Sequence, residues 1–386
     1  MLLLRDPLQL SGSEIAVPRQ LGPLLALMDG SRDERALEAA LQVRYGLRLA
    51  AGLLGKFLAD LDSSFLLENE RFEAAKAEAV RAYRGEPCRA MTMAGQGYPA
   101  SGSEAAAVLQ AMVDALPAQP AAKTGDERVR GLVTPHIDYA RGGQVYAEVW
   151  RAAGEAVRDA ELVVLLGTDH RGGEGRLTLT RQSYATPWGV LPTDLELVDA
   201  LAEAIGSEEA YCEELHHRRE HSLELAAVWL HHMRQGIEVA VVPILCGSFF
   251  AFVAGGGDPA THEPFVRALR ILTQAVSAKT SLVVAAADLA HMGPAFGDAY
   301  GLDPIGRAQL RRADDRLLWA VAAGDAQGFF EQLKEERDRR HVCGLPPIYL
   351  ALRLLGAARG ESAGYALCPA DSEGMSYVSI AGMLFR

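Results

Sequence analysis

The sequence predicts an α/β protein: a mixed sheet flanked by helices, preceded by a small, mainly helical region. Three observations carry this reading. From about residue 88 onward, short apolar runs alternate with segments of helical spacing, a repetition that puts helices on both sides of a sheet. Runs such as "RGLVTP" and "ELVVLLG" are too continuously apolar for half-exposed strands and suit strands buried on both faces. Apolar residues make up 49% and charged residues 23% of 386 positions, enough for a sizeable core and for more than one domain.

The elements follow in chain order. In "DGSRDERALEAALQVRYG" a "DG" turn precedes Ser31 and Glu34, which read as a capping box opening a helix with Leu37, Ala40 and Leu41 on its apolar face. A second helix covers roughly 50–61, and "SSFLLE" reads as a short strand. "NERFEAAKAEAVRAYRGE" is a charged helical connector. This places a helical module over 1–85 and an α/β domain over 86–386. In that domain "RGLVTP" is a strand, "GQVYAEVWRAAGEAVRD" a helix and "ELVVLLG" the next strand. "GRLTLTRQSYATPWGVLP" makes a hairpin excursion, and Thr193 with Glu196 caps the helix "DLELVDALAEAIG". The helix "HSLELAAVWLHHMRQG" leads into the strand "IEVAVVPIL". "PFVRALRILTQAVSA" precedes the strand "SLVVAAADL". Asp303 and Pro304 open a long helix, with the proline at its first position. A helix over 346–356 and the strands "AGYALC" and "MSYVSIAGMLF" complete the series.

The net charge of −12 argues against a nucleic-acid-binding face. No amino-terminal stretch has the layout of a secretion signal. The longest uncharged run, 239–257, is broken by Pro243 and reads as strand plus loop, not as a membrane span. Five unevenly spaced cysteines fit reduced thiols, and a cytoplasmic location is expected.

Ligand sites of open α/β sheets gather outside the carboxyl ends of the strands. His136 follows "GLVTP", Asp169 and His170 follow "VVLLGT", Cys246 ends "VVPILC", and Asp288 and His291 follow "LVVAAA". Histidines, aspartates and a cysteine on one rim suggest a metal site, since neutral imidazole and thiolate suit Zn, Cu or Fe. No CxxC pair, GxGxxG string, P-loop or GxSxG elbow is present, which sets aside a closed structural zinc site, nucleotide binding and a serine hydrolase. Cysteine-nucleophile hydrolysis through Cys246 or Cys343 stays open.

The strings "TPHIDYARGG", "LLGTDHRGG", "SYATPWGVLPTD", "REHSLEL", "VPILCG", "AADLAHMG" and "CGLPPIYLAL" stand in that order, after "MTMAGQGYPASGSEAAAVLQAMVDAL". Over 88–386 this series resembles the Memo family, specifically the B component of the AmmeMemoRadiSam group. The resemblance implies a fold like that of the class III extradiol dioxygenases, which use a non-haem ferrous iron. It also implies one redox metal, Fe(II) ahead of copper and both ahead of zinc, held by His136, His170 and Cys343. Asp288, His291 and His221 are then the catalytic or pocket residues. The amino-terminal region resembles the PqqD-like, winged-helix peptide-binding modules, though a helical cap on the main domain fits it equally.

Each of these residues also has a plainer reading. A strand-end histidine ordinarily bonds a carbonyl; the string around His136, and likewise His170, shifts the balance to ligation. Free cysteines are commonly small buried hydrophobes. Cys343 opens a helix after "RDRRHV", where cations and a helix N-terminus favour thiolate, whereas Cys246 reads as a packed core thiol. Asp288 and His291 fit a capped turn or an acid/base pair. Tyr139 and Arg141 fit a substrate pocket, by donating to a bound oxygen and holding a carboxylate, and equally fit loop packing. Trp188 fits the pocket wall and as readily a place in the core. His216 and His217 are expected in a solvated stretch, at least one of His231 and His232 exposed, and His341 in the pocket without ligating. Many Memo proteins have "HAGY" and "SH" where this chain has "HIDY" and "DH", so Asp138 and Asp169 are extra carboxylates beside two ligands, able to ligate or to orient a histidine. The resulting expectation is a metal-dependent oxidoreductase acting on a small molecule or peptide, without nucleic acid or membrane. The alternative is an adaptor working with a radical-SAM partner.

Overall fold

The computed structural model describes residues 1–118 and 128–386. They form two compact units, Met1–Gly85 and Glu86–Arg386. In the first unit, strand β1 (Leu2–Arg5) pairs antiparallel with β2 (Glu14–Val17). Helices Glu34–Tyr45, Leu53–Ser63 and Glu70–Gly85 follow. Val17, Leu24, Leu37, Leu41, Leu54 and Leu61 form its core. Two expectations fail here. The 34–45 helix is capped by Asp33, which accepts from the Ala36 amide at 2.8 Å, while Ser31 spends its hydroxyl on Asp29. "SSFLLE" is a turn and not a strand: the Ser64 amide closes onto Asp60 and Leu61 carbonyls, and Phe65 takes φ +56°. Leu66 and Leu67 then pack on the core without pairing.

The second unit carries β3 (Gly131–Thr134), β4 (Leu162–Thr168), β5 (Leu177–Leu179), β6 (Tyr184–Thr186), β7 (Gly189–Leu191), β8 (Ala240–Cys246), β9 (Ser281–Ala286), β10 (His291–Met292), β11 (Gly360–Pro369) and β12 (Tyr377–Phe385). The main sheet has the order β10-β12-β3-β9-β4-β8-β5, with β11 on β12. Its centre, β3-β9-β4-β8, is parallel, and its flanks are antiparallel, so the sheet is mixed. β6 and β7 form a separate hairpin. β3 and β4 are buried at every position, as their unbroken apolar sequences require. Helices 139–152 and 221–233 pack on one face, and helices 195–205, 263–278, 304–322 and 345–355 on the other.

The parallel register sets the site. Thr134 is level with Ala286, Gly167 with Ala286, and Thr168 with Cys246. Four chains therefore leave the sheet together at one rim.

Other expectations are corrected. Asp194, not Thr193, caps the 195–205 helix, because the Thr193 hydroxyl donates to the Gln182 carbonyl. His216 and His217 are buried, at 6% and 0% exposure, since the stretch folds into a short helix under the rim. His231 is fully buried and His232 half-buried, so neither is exposed. Among the described residues no helix is long and apolar enough to cross a membrane.

Candidate metal centre

β3 delivers His136 two residues past its end, and the backbone that follows enters the 139–152 helix through an Asp138 cap. β9 delivers Asp288 likewise, and its Oδ1 accepts the His136 amide at 2.8 Å and the Ile137 amide at 3.2 Å. Asp288 thus holds the turn that carries His136. Cys343 arrives from the loop before the 345–355 helix. The Thr168 hydroxyl donates to its carbonyl at 3.0 Å, and the Gly344 amide donates to the Asp288 carbonyl at 3.0 Å. A Cβ at Gly344 would lie 2.3 Å from that carbonyl oxygen, so only glycine lets the cysteine loop approach this closely. Arg337, Asp338 and His341 in the same loop take φ of +55°, +44° and +50°, a backbone bent to deliver Cys343.

His136, His170 and Cys343 each offer a ligand atom within 4.8 Å of the others. The His136 Nδ1–H donates to the Ala286 carbonyl at 3.0 Å, which leaves Nε2 facing the Cys343 sulfur at 3.3 Å. The His170 Nδ1–H donates to Glu220 at 3.1 Å, so its Nε2 is likewise the free nitrogen. Acceptors behind a ring that fix its tautomer and aim the other nitrogen are the usual support of a metal-binding histidine.

His221, the first residue of its helix, stacks on His170 at 4.9 Å and meets His136 edge-on at 5.5 Å. Its Nδ1 lies 3.2 Å from the same Glu220 carboxylate. His170, Glu220 and His221 are a second set of convergent donors.

The electrostatics favour a thiolate. Burial opposes charge on Cys343, but His136, His291 and His170 hold the thiol well below its ordinary value. Burial works against an imidazolium at His136, yet Asp288 and Cys343 raise it to about 9. Burial also opposes charge on His170 and on Glu220, and each still stabilises the other's charged form. Cys246 is a packed strand residue whose thiol burial pushes upward.

Two cavities meet at this cluster. One of about 460 Å³ is bordered by His136, Arg141, His170, His221, Asp288 and His291. The other, about 280 Å³, is bordered by Asp169, His170, Cys343, His341 and an apolar wall containing Phe249 and Leu345. A larger cavity at the opposite end of the sheet, between Arg130 and Lys279, borders none of these donors.

The structure brings together His136, His170, Cys343, Asp288, His291, His221 and Arg141, and sets Asp169 beside them. Tyr139 does not join them: it is buried, and its hydroxyl donates to the Leu225 carbonyl at 2.7 Å. Trp188 sits in the β6–β7 turn against His232, at 5.5 Å, and borders neither cavity. Sequence reasoning missed Glu220, whose signal was an acid one residue before His221 in "REHS". It also missed Glu224, which accepts from the Arg89 guanidinium, the Thr92 and Met93 amides and the Tyr98 hydroxyl. That buried carboxylate ties the 89–98 segment, with Met93, to the wall of the 460 Å³ cavity at the histidine cluster.

A family profile described as "Memo-like protein" matches residues 89–384. The chain is 27% identical to a MEMO1 family protein of Aquifex aeolicus over 99% of this chain and 95% of the relative. It is 28% identical to one of Thermus thermophilus over 86% of this chain and 93% of the relative. With one of Methanosarcina acetivorans it shares 28% identity over 62% of this chain and 79% of the relative.

Proposed function

This chain belongs to the Memo-like protein family, and from that premise we propose that it is a metal-dependent oxidoreductase acting on a small, anionic molecule or peptide end. His136, His170 and Cys343 would hold one redox metal ion, Fe(II) or copper ahead of zinc. The observation that carries this reading is the convergence of two histidine Nε2 atoms on the Cys343 sulfur, each with its Nδ1 already committed to an acceptor behind it. Two imidazoles and a thiolate fit a borderline or soft transition ion, and three protein ligands leave coordination positions open. The bound ion would supply redox and Lewis-acid chemistry at those positions.

The remaining residues act around it. Asp288 is a positioning residue, since its Oδ1 is engaged by two backbone amides. The His291 Nδ1–H is shared between the Leu289 and His341 carbonyls at 3.2 and 3.1 Å, which leaves Nε2 to hold or move a proton at the cavity wall. His221 is committed at Nδ1 to Glu220 in the same manner. Arg141, half-exposed and tethered to Asp138 at 2.6 Å, offers a guanidinium to a substrate carboxylate.

The test is elemental analysis of protein purified anaerobically without an affinity tag, beside His136→Ala and Cys343→Ser. Near-stoichiometric iron or copper that both variants lose supports the reading and justifies oxygen-uptake assays. Full occupancy in His136→Ala overturns it. A second reading rests on the separate amino-terminal unit with its own core. There it would capture a peptide or a radical-SAM partner, and the metal domain would serve as an adaptor. Stable co-purification of that partner, with no metal-dependent oxygen uptake, would favour it.

A further inference from the structure

Resting on the metal-site reading above, we propose that the 280 Å³ cavity is a substrate subsite for an uncharged, apolar group, such as an alkyl chain, held against Cys343 and His170. The substrate is then amphipathic. Its anionic end faces Arg141 in the 460 Å³ cavity and its apolar group fills the smaller one, with His170 bordering both.

The apolar wall comes from two elements. The chain leaving β8 turns at Gly247 and Ser248 into the short helix Phe250–Val253 and supplies Phe249, Phe250 and Val253. The 345–355 helix supplies Leu345 and Pro346 from its first turn. The turn after β8 is pinned: the Gly247 amide donates to the Arg176 carbonyl at 2.9 Å, and the Gly175 amide donates to the Ser248 carbonyl at 2.8 Å. Phe249 is 3% exposed, its ring stacked on Phe265 at 5.3 Å and edge-on to Tyr349 at 5.6 Å. This part of the wall is therefore formed before anything binds, which spares a ligand the cost of ordering it. Phe250, by contrast, is 68% exposed. An apolar ring left in water beside a preformed apolar pocket is favourably covered by an apolar group.

The polar residues of the same cavity do not oppose this, because their bonds are made within the protein. The Thr168 hydroxyl donates to the Cys343 carbonyl at 3.0 Å. Asp169 accepts the Arg171 amide at Oδ1, at 3.0 Å, and the His216 ring at Oδ2, at 2.9 Å. Asp338 accepts the Val342 amide at 2.9 Å, and the Ser248 hydroxyl oxygen accepts the Phe250 amide at 3.1 Å. A polar ligand finds few partners there, and an apolar one finds five carbon side chains. An apolar cavity of about 150 Å³ holds a benzene ring, so this one admits a group of roughly four to six carbons.

The test uses Cys343 as reporter in metal-stripped, full-length protein. Its alkylation by iodoacetamide and by N-butyl-iodoacetamide is timed by mass spectrometry of the 343-containing peptide, in the wild type, Phe250→Ser and Phe250→Leu. The quantity read is the butyl-to-parent rate ratio, divided by the same ratio for free cysteine. A ratio taken within each protein cancels any change in the reactivity of the thiol itself. Four fully buried carbons would favour the butyl reagent about 200-fold, and the open pocket should retain at least about tenfold. Phe250→Ser should lower the ratio at least about threefold, and Phe250→Leu should keep it. A wild-type ratio equal to that of free cysteine overturns the proposal. So does a raised ratio that Phe250→Ser leaves unchanged, because the tail then lies elsewhere. Metal content of the protein as purified separates this from the metal-site reading. A raised, Phe250-dependent ratio in protein that carries no metal supports the apolar subsite and removes the metal centre. A ratio equal to that of free cysteine in protein with stoichiometric iron or copper removes the subsite alone.

Discussion

The Glu220 carboxylate lies 3.1 Å from Nδ1 of His170, with both oxygens at that distance, and the His170 amide donates to it at 3.2 Å. The same carboxylate accepts the Ser222 amide at 3.0 Å and so caps the helix that starts with His221. One buried acid therefore fixes the orientation of two histidines and the start of the element that carries one of them.

Replacing Glu220 by Gln keeps the volume and removes the charge. His170 then keeps only a neutral amide oxygen behind its ring in place of a carboxylate, and the proposed site should bind metal about 10–100-fold more weakly. Competition with a chelator of known affinity measures this. An unchanged affinity would show that Glu220 serves the helix cap alone.

Cys343 provides a pH signature in metal-free protein. Its thiolate is favoured by His136, His291 and His170, so alkylation by iodoacetamide should persist well below the pH at which an ordinary thiol stops reacting. In His136→Ala one stabilising cation is gone, and the labelling profile should move to higher pH. Mass spectrometry of the 343-containing peptide gives the profile. Identical profiles in the two proteins would remove His136 from the thiolate's support.

The α/β pattern was legible because its central strands are buried on both faces and so have unbroken apolar sequences, as Leu162–Thr168 does. Rim residues were legible for the same reason: His136, His170 and Asp288 each interrupt or follow such a run. Partners that approach from distant sequence were not. Glu220 meets His170 across fifty positions, and His216 meets Asp169 across forty-seven. The charged string "ELHHRRE" looked solvated because charge alone cannot show that a rim loop folds over it. Tyr139 and Trp188 were misplaced because an aromatic ring beside a site has the same composition signal as one packed behind it. The capping boxes failed because an adjacent aspartate, Asp33 or Asp194, competes for the same helix start.

Gly344→Ala tests the close approach of the cysteine loop. The new Cβ would meet the Asp288 carbonyl oxygen at 2.3 Å and the Ala287 Cβ at 2.8 Å, and both residues are buried just past the end of β9. Overpacking of this kind typically costs about 1–3 kcal/mol. Urea denaturation should show that loss, and metal content should fall with it because Cys343 moves away from His136. A variant with native stability and full metal content would show that the loop has room to retreat.

His217 supplies a stability prediction independent of any metal. It is fully buried, its Nε2–H donates to the Thr178 carbonyl at 2.9 Å, and its Nδ1 accepts from the Tyr184 hydroxyl at 2.7 Å. The bond from Tyr184 requires the neutral ring, whereas the Thr178 bond suits either form, and burial lowers the pKa from 6.5 to about 4. The folded state therefore resists a proton that the unfolded chain accepts. Between pH 6.5 and 4 the unfolded state binds more protons, so stability falls as pH falls. The contribution is complete above pH 6.5 and lost as pH drops through about 4, an effect on the order of 3 kcal/mol at most. In His217→Gln the amide does not titrate, so the stability difference between pH 7 and pH 4.5 should shrink relative to the wild type. Denaturant unfolding at the two pH values gives that difference directly. Equal pH slopes in the two proteins would mean that His217 is charged in the fold, and that the Tyr184 hydroxyl accepts from it instead of donating.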